Sequence, residues 1–187
     1  MYLPIIFSDR INFIFGHIAQ SLDGYIATEL GESKYISGND NLKHIHRLRA
    51  LSDIIIVGAK TFIEDKPKLT TRLVKGTNPK IFIFDPKNII KKRPKNISII
   101  KDKDQIKSEI FSKKEKIKIY VEGGGKTLSF FLKHNLMNRL HLCICPIILG
   151  GGRSSFYSNK FIELSKLKEY SVNYYPMGTD ILCDLDI

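Results

Sequence analysis

The chain has 187 residues, of which 43% are hydrophobic, 10% aromatic and 26% charged, and its formal net charge is +11. This length and composition predict one globular domain over residues 1–187 and exclude a disordered chain. No apolar run approaches the roughly 18 residues that a membrane span requires, which excludes a membrane protein as well.

The positive charge raises the question of an anionic partner. The basic residues are spread along the chain, and the densest groups, at 91–93 and 113–116, flank predicted elements as solvated turns would. This distribution disfavours a nucleic-acid surface and leaves a phosphorylated small molecule as the expected partner.

The cysteines and the N-terminus bear on location. Cys143, Cys145 and Cys183 form neither a CxxC pair nor a Cys/His group with zinc spacing, so we predict buried free thiols, no metal site and a cytoplasmic protein. Residues 1–7 are apolar but contain no basic residue, which disfavours a signal peptide. We expect residues 1–10 to be an N-terminal extension and residues 11–187 the core.

The hydrophobic pattern, taken in chain order, predicts alternating strands and helices. Strands are expected at 11–19, 54–58, 80–84, 97–100, 117–121 and 140–145, helices at 39–51, 104–111 and 127–137, and a closing hairpin at 167–174 and 180–185. The stretch 62–78 has little periodicity, which is typical of a functional or mobile loop. Apolar strands that alternate with helices predict an α/β fold with a mostly parallel central sheet and an antiparallel C-terminal hairpin.

A glycine turn follows the predicted strand 117–121. Glu122 comes next, then Gly123, Gly124 and Gly125, and the residues from Lys126 onward open a helix. Unpaired backbone N–H groups and the helix dipole favour an anion there, and Glu122 stands where open α/β sheets bind ligands. The spacing matches neither a Walker A loop nor a GxGxxG fingerprint, so an ordinary strand-to-helix turn and a phosphate-binding turn both remain open at this point.

Several motifs occur together in a fixed order and resemble one enzyme family. They are Ala19-Gln20-Ser21-Leu22-Asp23-Gly24, Gly31-Glu32-Ser33, Arg47-Leu48-Arg49-Ala50, Asp65-Lys66-Pro67-Lys68-Leu69-Thr70-Thr71-Arg72, Val121-Glu122-Gly123-Gly124 and Pro146-Ile147-Ile148-Leu149-Gly150-Gly151-Gly152. From about residue 11 onward the chain resembles the reductase domain of riboflavin biosynthesis, a pyrimidine reductase related to dihydrofolate reductase, in its stand-alone form. The resemblance implies a dihydrofolate-reductase-like three-layer fold, NADPH as cofactor, and reduction of the ribosyl group of a 5-phosphoribosylamino-pyrimidine to the ribityl form.

The resemblance also implies roles for individual residues. Substrate positions are Ser33, Arg49, Leu69, Arg72 and Glu122, and cofactor positions are Ala19, Tyr35, Thr61, Asp65, Gly123, Gly124, Gly125, Lys126 and Thr127. Asp65 and Glu122 are the catalytic candidates. The guanidinium groups of Arg49 and Arg72 suit a ribose phosphate because each can bind two oxygens at once.

The chain departs from the family pattern at three positions, and other functions stay open. Many members have lysine where His17 stands and tryptophan where Tyr35 stands, and the second acid of an Asp-Asp-Pro motif is Lys66 here. A neutral imidazole does not donate as an ammonium does, so a same-fold NADPH reductase acting on another substrate, such as a pterin, is one alternative. A basic nucleic-acid-binding module is the other. The resemblance and the apolar segment 140–148 also predict a homodimer.

Overall fold

The structure is a computed structural model that describes residues 1–34, 36–112, 115–157 and 169–187. Its strands are β1 (Asn12–Ser21), β2 (Tyr25–Ala27), β3 (Ile54–Gly58), β4 (Lys80–Phe84), β5 (Ile97–Ile100), β6 (Ile117–Glu122), β7 (Arg139–Cys145), β8 (Arg153–Ser154), β9 (Val172–Met177) and β10 (Asp180–Asp186). Its helices are α1 (Leu3–Ile6), α2 (Asn39–Ala50), α3 (Ala59–Asp65), α4 (Lys103–Ile106), which continues as a π-helical segment Lys107–Phe111, and α5 (Gly125–Lys133). None of the helices in these ranges is long and apolar enough to cross a membrane.

Eight strands form one sheet in the order β5-β4-β3-β6-β1-β7-β10-β9, and β2 pairs with β8 in a separate small sheet. The contacts from β5 to β7 are parallel, whereas β10 is antiparallel to both β7 and β9. The predicted α/β class, with a mostly parallel sheet and an antiparallel C-terminal hairpin, is therefore confirmed.

The core lies on both faces of this sheet because side chains alternate along each strand. Ile14 and Ile56 pack with Leu128 of α5 on one face. Phe15 and Ile55 pack with Leu48 of α2 on the other. Strand β3 is buried along its whole length, which explains why its sequence is apolar without alternation. The helices on the two faces give the three-layer arrangement.

The structure contains α1, β2 and β8, which the sequence did not predict, and it differs from other predicted elements in their bounds. The stretch 62–78 was predicted as a loop, but its first residues belong to α3, which ends where Lys66 adopts a left-handed conformation with φ of 43°. Helix α5 spans Gly125–Lys133 rather than 127–137, and Asn135 is left-handed just beyond it, with φ of 51°. Left-handed residues of this kind commonly end helices.

The closing hairpin also has different bounds. Strand β9 begins at Val172 and includes Pro176, which was predicted to lie in the turn. Proline is tolerated there because β9 is an edge strand. The turn itself contains Gly178, with φ of 70°. Residues 167 and 168 of the predicted strand lie outside the described residues.

Candidate active site

A cavity of about 590 Å³ opens where the parallel strands end. Its wall includes residues at the carboxyl ends of β1, β3, β4 and β6 and at the start of α5. Open α/β sheets bind ligands at this edge, and the volume is within the range of cofactor and small-molecule sites.

The glycine turn forms part of the cavity wall. Gly123 has φ of 111°, a conformation that other residues rarely adopt. A Cβ atom on Gly125 would collide with the carbonyl oxygens of Ser154 and Ser155. Within the described residues, no side chain caps the N-terminus of α5, and Gly124, Gly125 and Lys126 at this end line the cavity. This cradle suits a phosphate group.

Glu122 projects from the end of β6 and is fixed by Arg49 of α2. The Arg49 Nε donates to Glu122 Oε2 at 2.7 Å, and Nη2 donates to Oε1 at 2.5 Å. The remaining nitrogen of the guanidinium, Nη1, donates to the carbonyl oxygen of Thr70 at 2.9 Å. Burial opposes the charge of Arg49, but the hydrogen bonds and charge of Glu122 outweigh it and raise the pKa of Arg49. The two hydrogen bonds from Arg49 therefore hold the Glu122 carboxylate in one orientation, as an acceptor for N–H groups of a ligand.

Asp65 lies at the end of α3 and lines the same cavity. Partial desolvation and the negative charge of Glu64 raise its pKa, although the positive charge of Arg153 opposes the change. A carboxyl group with a raised pKa takes up a proton more readily than an ordinary surface acid.

His17 is buried on β1 and also lines the cavity. It lies opposite Glu122 in the parallel register of β1 and β6. Its Nε2 is 2.8 Å from Asn41 Oδ1, and the amide nitrogen of Asn41 donates to Ser37 Oγ. Burial lowers the pKa of His17 to about 3. The imidazole is therefore neutral, with its proton on Nε2 and its lone pair on Nδ1.

A second group of buried histidines lies behind His17. The rings of His17 and His44 are 5.4 Å apart. His44 accepts a hydrogen bond from the Tyr2 hydroxyl at 2.8 Å, and its other nitrogen is 3.0 Å from His141. His141 in turn is 3.1 Å from Asp184. Burial lowers the pKa of His44 and of His141, so this cluster packs α2 against β7 through neutral hydrogen-bonded rings.

Among the described residues, one group of side chains of the metal-ligand type lies close together, away from the cavity wall. The ligand atoms of Cys143, Cys145 and Asp180 lie within 4.8 Å of one another, and all three residues are buried. The Cys143 thiol donates to Asp180 Oδ2 at 3.8 Å. Its hydrogen bond with Cys145, together with burial, raises the pKa of the Cys143 thiol. The absence of a metal site stays a prediction from the sequence.

Most of the predicted site residues come together in the cavity wall. They are Ala19, Ser33, Thr61, Asp65, Glu122, Gly123, Gly124, Gly125, Lys126 and Thr127. These residues are far apart in the sequence, but the parallel sheet brings the ends of β1, β3 and β6 to one edge. The individual roles of these residues remain predictions.

Three predicted substrate residues lie elsewhere. Arg49 is buried behind Glu122 and does not line the cavity. Leu69 is buried in the core, 1% exposed and with φ of 49°. Arg72 is exposed, and its Nη1 lies 3.5 Å from Thr70 Oγ1. Tyr35, a predicted cofactor residue, lies outside the described residues.

Residues 12–182 match the family model of the RibD C-terminal domain. The chain belongs to the RibD C-terminal domain family. The match confirms the resemblance to the reductase family of riboflavin biosynthesis that the ordered motifs predicted.

Two relatives illustrate how this RibD C-terminal domain compares with longer and shorter proteins. The riboflavin biosynthesis protein RibD of Aquifex aeolicus is 32% identical over 166 residues, which cover 73% of this chain and 47% of that protein. The 2,5-diamino-6-ribosylamino-4(3H)-pyrimidinone 5′-phosphate reductase of Methanothermobacter thermautotrophicus is 26% identical over 176 residues, which cover 74% of this chain and 80% of that protein. The chain thus spans about half the length of the RibD relatives that it matches.

A solved structure shares the fold. The diaminohydroxyphosphoribosylaminopyrimidine deaminase/5-amino-6-(5-phosphoribosylamino)uracil reductase of Thermotoga maritima superimposes with a TM-score of 0.75 and 24% identity, over 94% of this chain and 56% of that one. The predicted dihydrofolate-reductase-like architecture is therefore confirmed.

The cavity of this RibD C-terminal domain also contains residues that the sequence motifs did not predict. They include Ile26, Phe84, Lys87, Arg153 and Tyr157. The signal for Phe84 was its place at the carboxyl end of a predicted strand. Arg153 follows directly after Gly150-Gly151-Gly152, but neither position shows by itself which way the side chain points.

Proposed function

We propose that this protein reduces the ribosyl group of a 5-phosphoribosylamino-pyrimidine to the ribityl form with NADPH, as a step of riboflavin biosynthesis. The observation that carries the proposal is the single cavity wall that contains both the glycine cradle of α5 and the fixed carboxylate Glu122. Membership of the RibD C-terminal domain family and the reductase relative of Methanothermobacter support the same reaction.

The glycine turn meets the requirements of a dinucleotide site. Gly123 and Gly124 place no side chain beside the start of α5, and Thr61 and Lys126 border the same cavity. These residues would hold the diphosphate, and the bound cofactor would supply the hydride. Four cationic side chains in the cavity wall, Lys60, Lys87, Lys126 and Arg153, support NADPH over NADH because the extra phosphate is an anion.

Glu122 and His17 form the substrate end of the cavity. The carboxylate accepts hydrogen bonds from the amino groups of the pyrimidine, and Arg49 keeps it from rotating. The neutral His17 lies beside it in the register of the two strands and offers the lone pair of Nδ1 to a hydroxyl of the ribose chain. Asp65, with its raised pKa, lines the same cavity and would exchange a proton with the bound ligand.

The test is turnover by the purified protein. Incubation with NADPH and the phosphoribosylamino-pyrimidine should oxidise NADPH in proportion to the ribityl product, measured by absorbance and by mass spectrometry of the product. Parallel assays use the pyrimidine before and after deamination, and dihydrofolate. Turnover of dihydrofolate alone would replace the proposal with the pterin alternative, and salt-sensitive nucleic-acid binding without NADPH binding would replace it with the non-catalytic one.

The proposal extends to the assembly and location of the protein. We propose a cytoplasmic homodimer that folds as one domain over residues 1–187. Three free buried cysteines support the location. Ile181 and Tyr174 are 52% and 67% exposed on neighbouring strands, and such apolar surface supports pairing of two copies. Sedimentation of the purified protein should give twice the chain mass, and replacement of Ile181 by Asp should shift the equilibrium toward the monomer.

A further inference from the structure

Arg153 projects into the cavity wall from β8, opposite Ala27 of β2. Its side chain is 35% exposed, and its Nη1 lies 3.1 Å from Glu64 Oε2 on α3. This ion pair connects the small sheet with the helix that carries Asp65. The guanidinium is therefore partly accessible from the cavity and is held by one exposed carboxylate.

The other two arginines considered for phosphate binding are placed differently. Each of the three guanidinium nitrogens of Arg49 already donates, two to Glu122 and one to Thr70. Arg72 is exposed and is not part of the cavity wall. Among the described residues, Arg153 is the arginine that lines the cavity. A ligand's phosphate can thus reach the guanidinium of Arg153 without rearrangement of the core.

Arg153 shares the cavity wall with other groups that can bind an anion. Its guanidinium lies over Gly31, where a Cβ atom would collide with it, and Gly31 has φ of 91°. Ser33, two residues later, is exposed and lines the same cavity. The carbonyl oxygen of the next residue, Ser154, packs against Gly125 at the start of α5. The guanidinium, a serine hydroxyl and the helix N-terminus therefore border one region.

Glu64 is a partner that can be exchanged. It is 41% exposed, and its second oxygen lies 3.5 Å from Lys60 Nζ in an (i, i+4) pair. If Arg153 turns to a phosphate, Glu64 keeps Lys60 as its counter-ion and remains in contact with water. An exposed ion pair of this kind is weak, whereas a guanidinium binds phosphate through two parallel hydrogen bonds. The exchange therefore favours the phosphate.

We propose that Arg153 binds a phosphate group of a ligand in exchange for Glu64. The inference rests on the proposed function, whose ligands offer two sources of the same chemistry. One is the phosphomonoester of the pyrimidine's ribose chain, and the other is the diphosphate of the dinucleotide. Arg49 and Arg72 were predicted to bind phosphate because they belong to family motifs. The proposal assigns this role to Arg153, which lies outside those motifs.

The experiment compares four variants with the wild-type protein. Arg153→Gln removes the cation, Arg153→Lys keeps the charge without the planar fork, and Glu64→Gln removes the competitor. Lys116→Gln is the control, because Lys116 pairs with Asp9 away from the cavity and its replacement changes the net charge equally. Each protein is titrated with NADPH, inorganic pyrophosphate and ribose 5-phosphate, and KM is measured for the pyrimidine, with circular dichroism as a check of folding.

We expect Arg153→Gln to weaken one phosphate ligand at least about tenfold, since a charge-assisted hydrogen bond is lost. Arg153→Lys should recover part of the affinity, Glu64→Gln should tighten the same ligand a few-fold, and Lys116→Gln should change nothing. An effect on the pyrimidine and ribose 5-phosphate supports the phosphomonoester, and an effect on NADPH and pyrophosphate supports the diphosphate.

Unchanged affinities for all four ligands in Arg153→Gln and Glu64→Gln would overturn the proposal. If Arg153→Gln does not fold, the Glu64→Gln variant still decides the matter. Tighter binding of a phosphate ligand by Glu64→Gln supports the proposal, and unchanged binding contradicts it. Absence of pyrimidine turnover by the wild-type protein would refute the proposed function alone, because the titrations with NADPH and the phosphate probes still report on Arg153.

Discussion

Arg49 and Glu122 form a bidentate ion pair that joins α2 to the carboxyl end of β6. The side chains are 8% and 16% exposed, so the pair is shielded from competing water. Glu122 faces the cavity while Arg49 lies behind it. The arginine therefore acts on a ligand through the carboxylate, as a positioning residue.

This pairing predicts strong non-additivity in catalysis. Glu122→Gln should lower kcat/KM for the pyrimidine at least tenfold and leave the Kd for NADPH within about twofold, since a charge-assisted contact is worth about 1.5–3 kcal/mol. Arg49→Gln should cause a similar loss by releasing Glu122. The double variant should be no worse than the poorer single variant, because the interaction is already absent. Steady-state kinetics at saturating NADPH measures all three, and losses that simply add would show that the two residues act independently.

Folding stability provides a separate measure of the same pair. Removal of one partner leaves a shielded charge unpaired, so each single variant should lose about 3 kcal/mol in the free energy of unfolding. The double variant should regain part of this loss. Urea titration followed by circular dichroism tests the expectation, and a fully stable Arg49→Gln protein would contradict it.

Gly125 should not tolerate a larger side chain. The Cβ atom of Gly125→Ala would collide with the carbonyl oxygens of Ser154 and Ser155, which would push β8 from the start of α5. We expect a loss of about 1–3 kcal/mol in stability and weaker NADPH binding. Gly38→Ala is the control, because its Cβ would lie 3.6 Å from Asp180 Oδ2, an ordinary contact. Equal NADPH affinity in the two variants would argue against the glycine cradle.

His17 should affect the substrate rather than the cofactor. Replacement by Phe retains a buried ring but removes the hydrogen bond to Asn41 and the lone pair offered to the substrate. We expect kcat/KM for the pyrimidine to fall about tenfold or more, with the Kd for NADPH within about twofold. His134→Phe, outside the cavity wall, is the matched control. A weakened NADPH complex would instead assign His17 to the cofactor.

Buried histidines predict a loss of stability in acid. Burial lowers the pKa of His17 to about 3 and that of His46 to about 4, and it also lowers the pKa of His44 and His141. In the unfolded chain these groups bind protons below about pH 6.5. Between that pH and the lowered values the unfolded state holds more protons, so the free energy of unfolding decreases as the pH falls.

Each such histidine contributes up to about 1.4 kcal/mol per pH unit in this window. Urea titrations at several values from about pH 7 to pH 4 measure the slope. His46→Asn should reduce this slope by about the contribution of one histidine. His134→Asn serves as the comparison. A stability that does not change across this window would contradict neutral burial of the rings.

Local pattern was sufficient for much of the fold. Strands β3, β4 and β5 were predicted at their observed bounds because short runs rich in apolar residues mark them in the sequence. Strand β9 was misplaced because Pro176 usually signals a turn, and only the sheet order shows that it lies on an edge where its missing N–H costs nothing. Helix α3 was missed because its seven residues carry too little periodicity.

The amino-acid sequence by itself determined the α/β order of elements, the glycine turn after Glu122 and, through the order of its motifs, the family. These features depend on residues close together in the chain, where backbone preference and hydrophobic spacing act. The tertiary structure decided that Arg49 binds Glu122 rather than facing the cavity, that Arg153 enters the cavity, and that His17 is buried beside Asn41. Those outcomes depend on strand register and side-chain direction between residues far apart in the chain, and no local pattern encodes either.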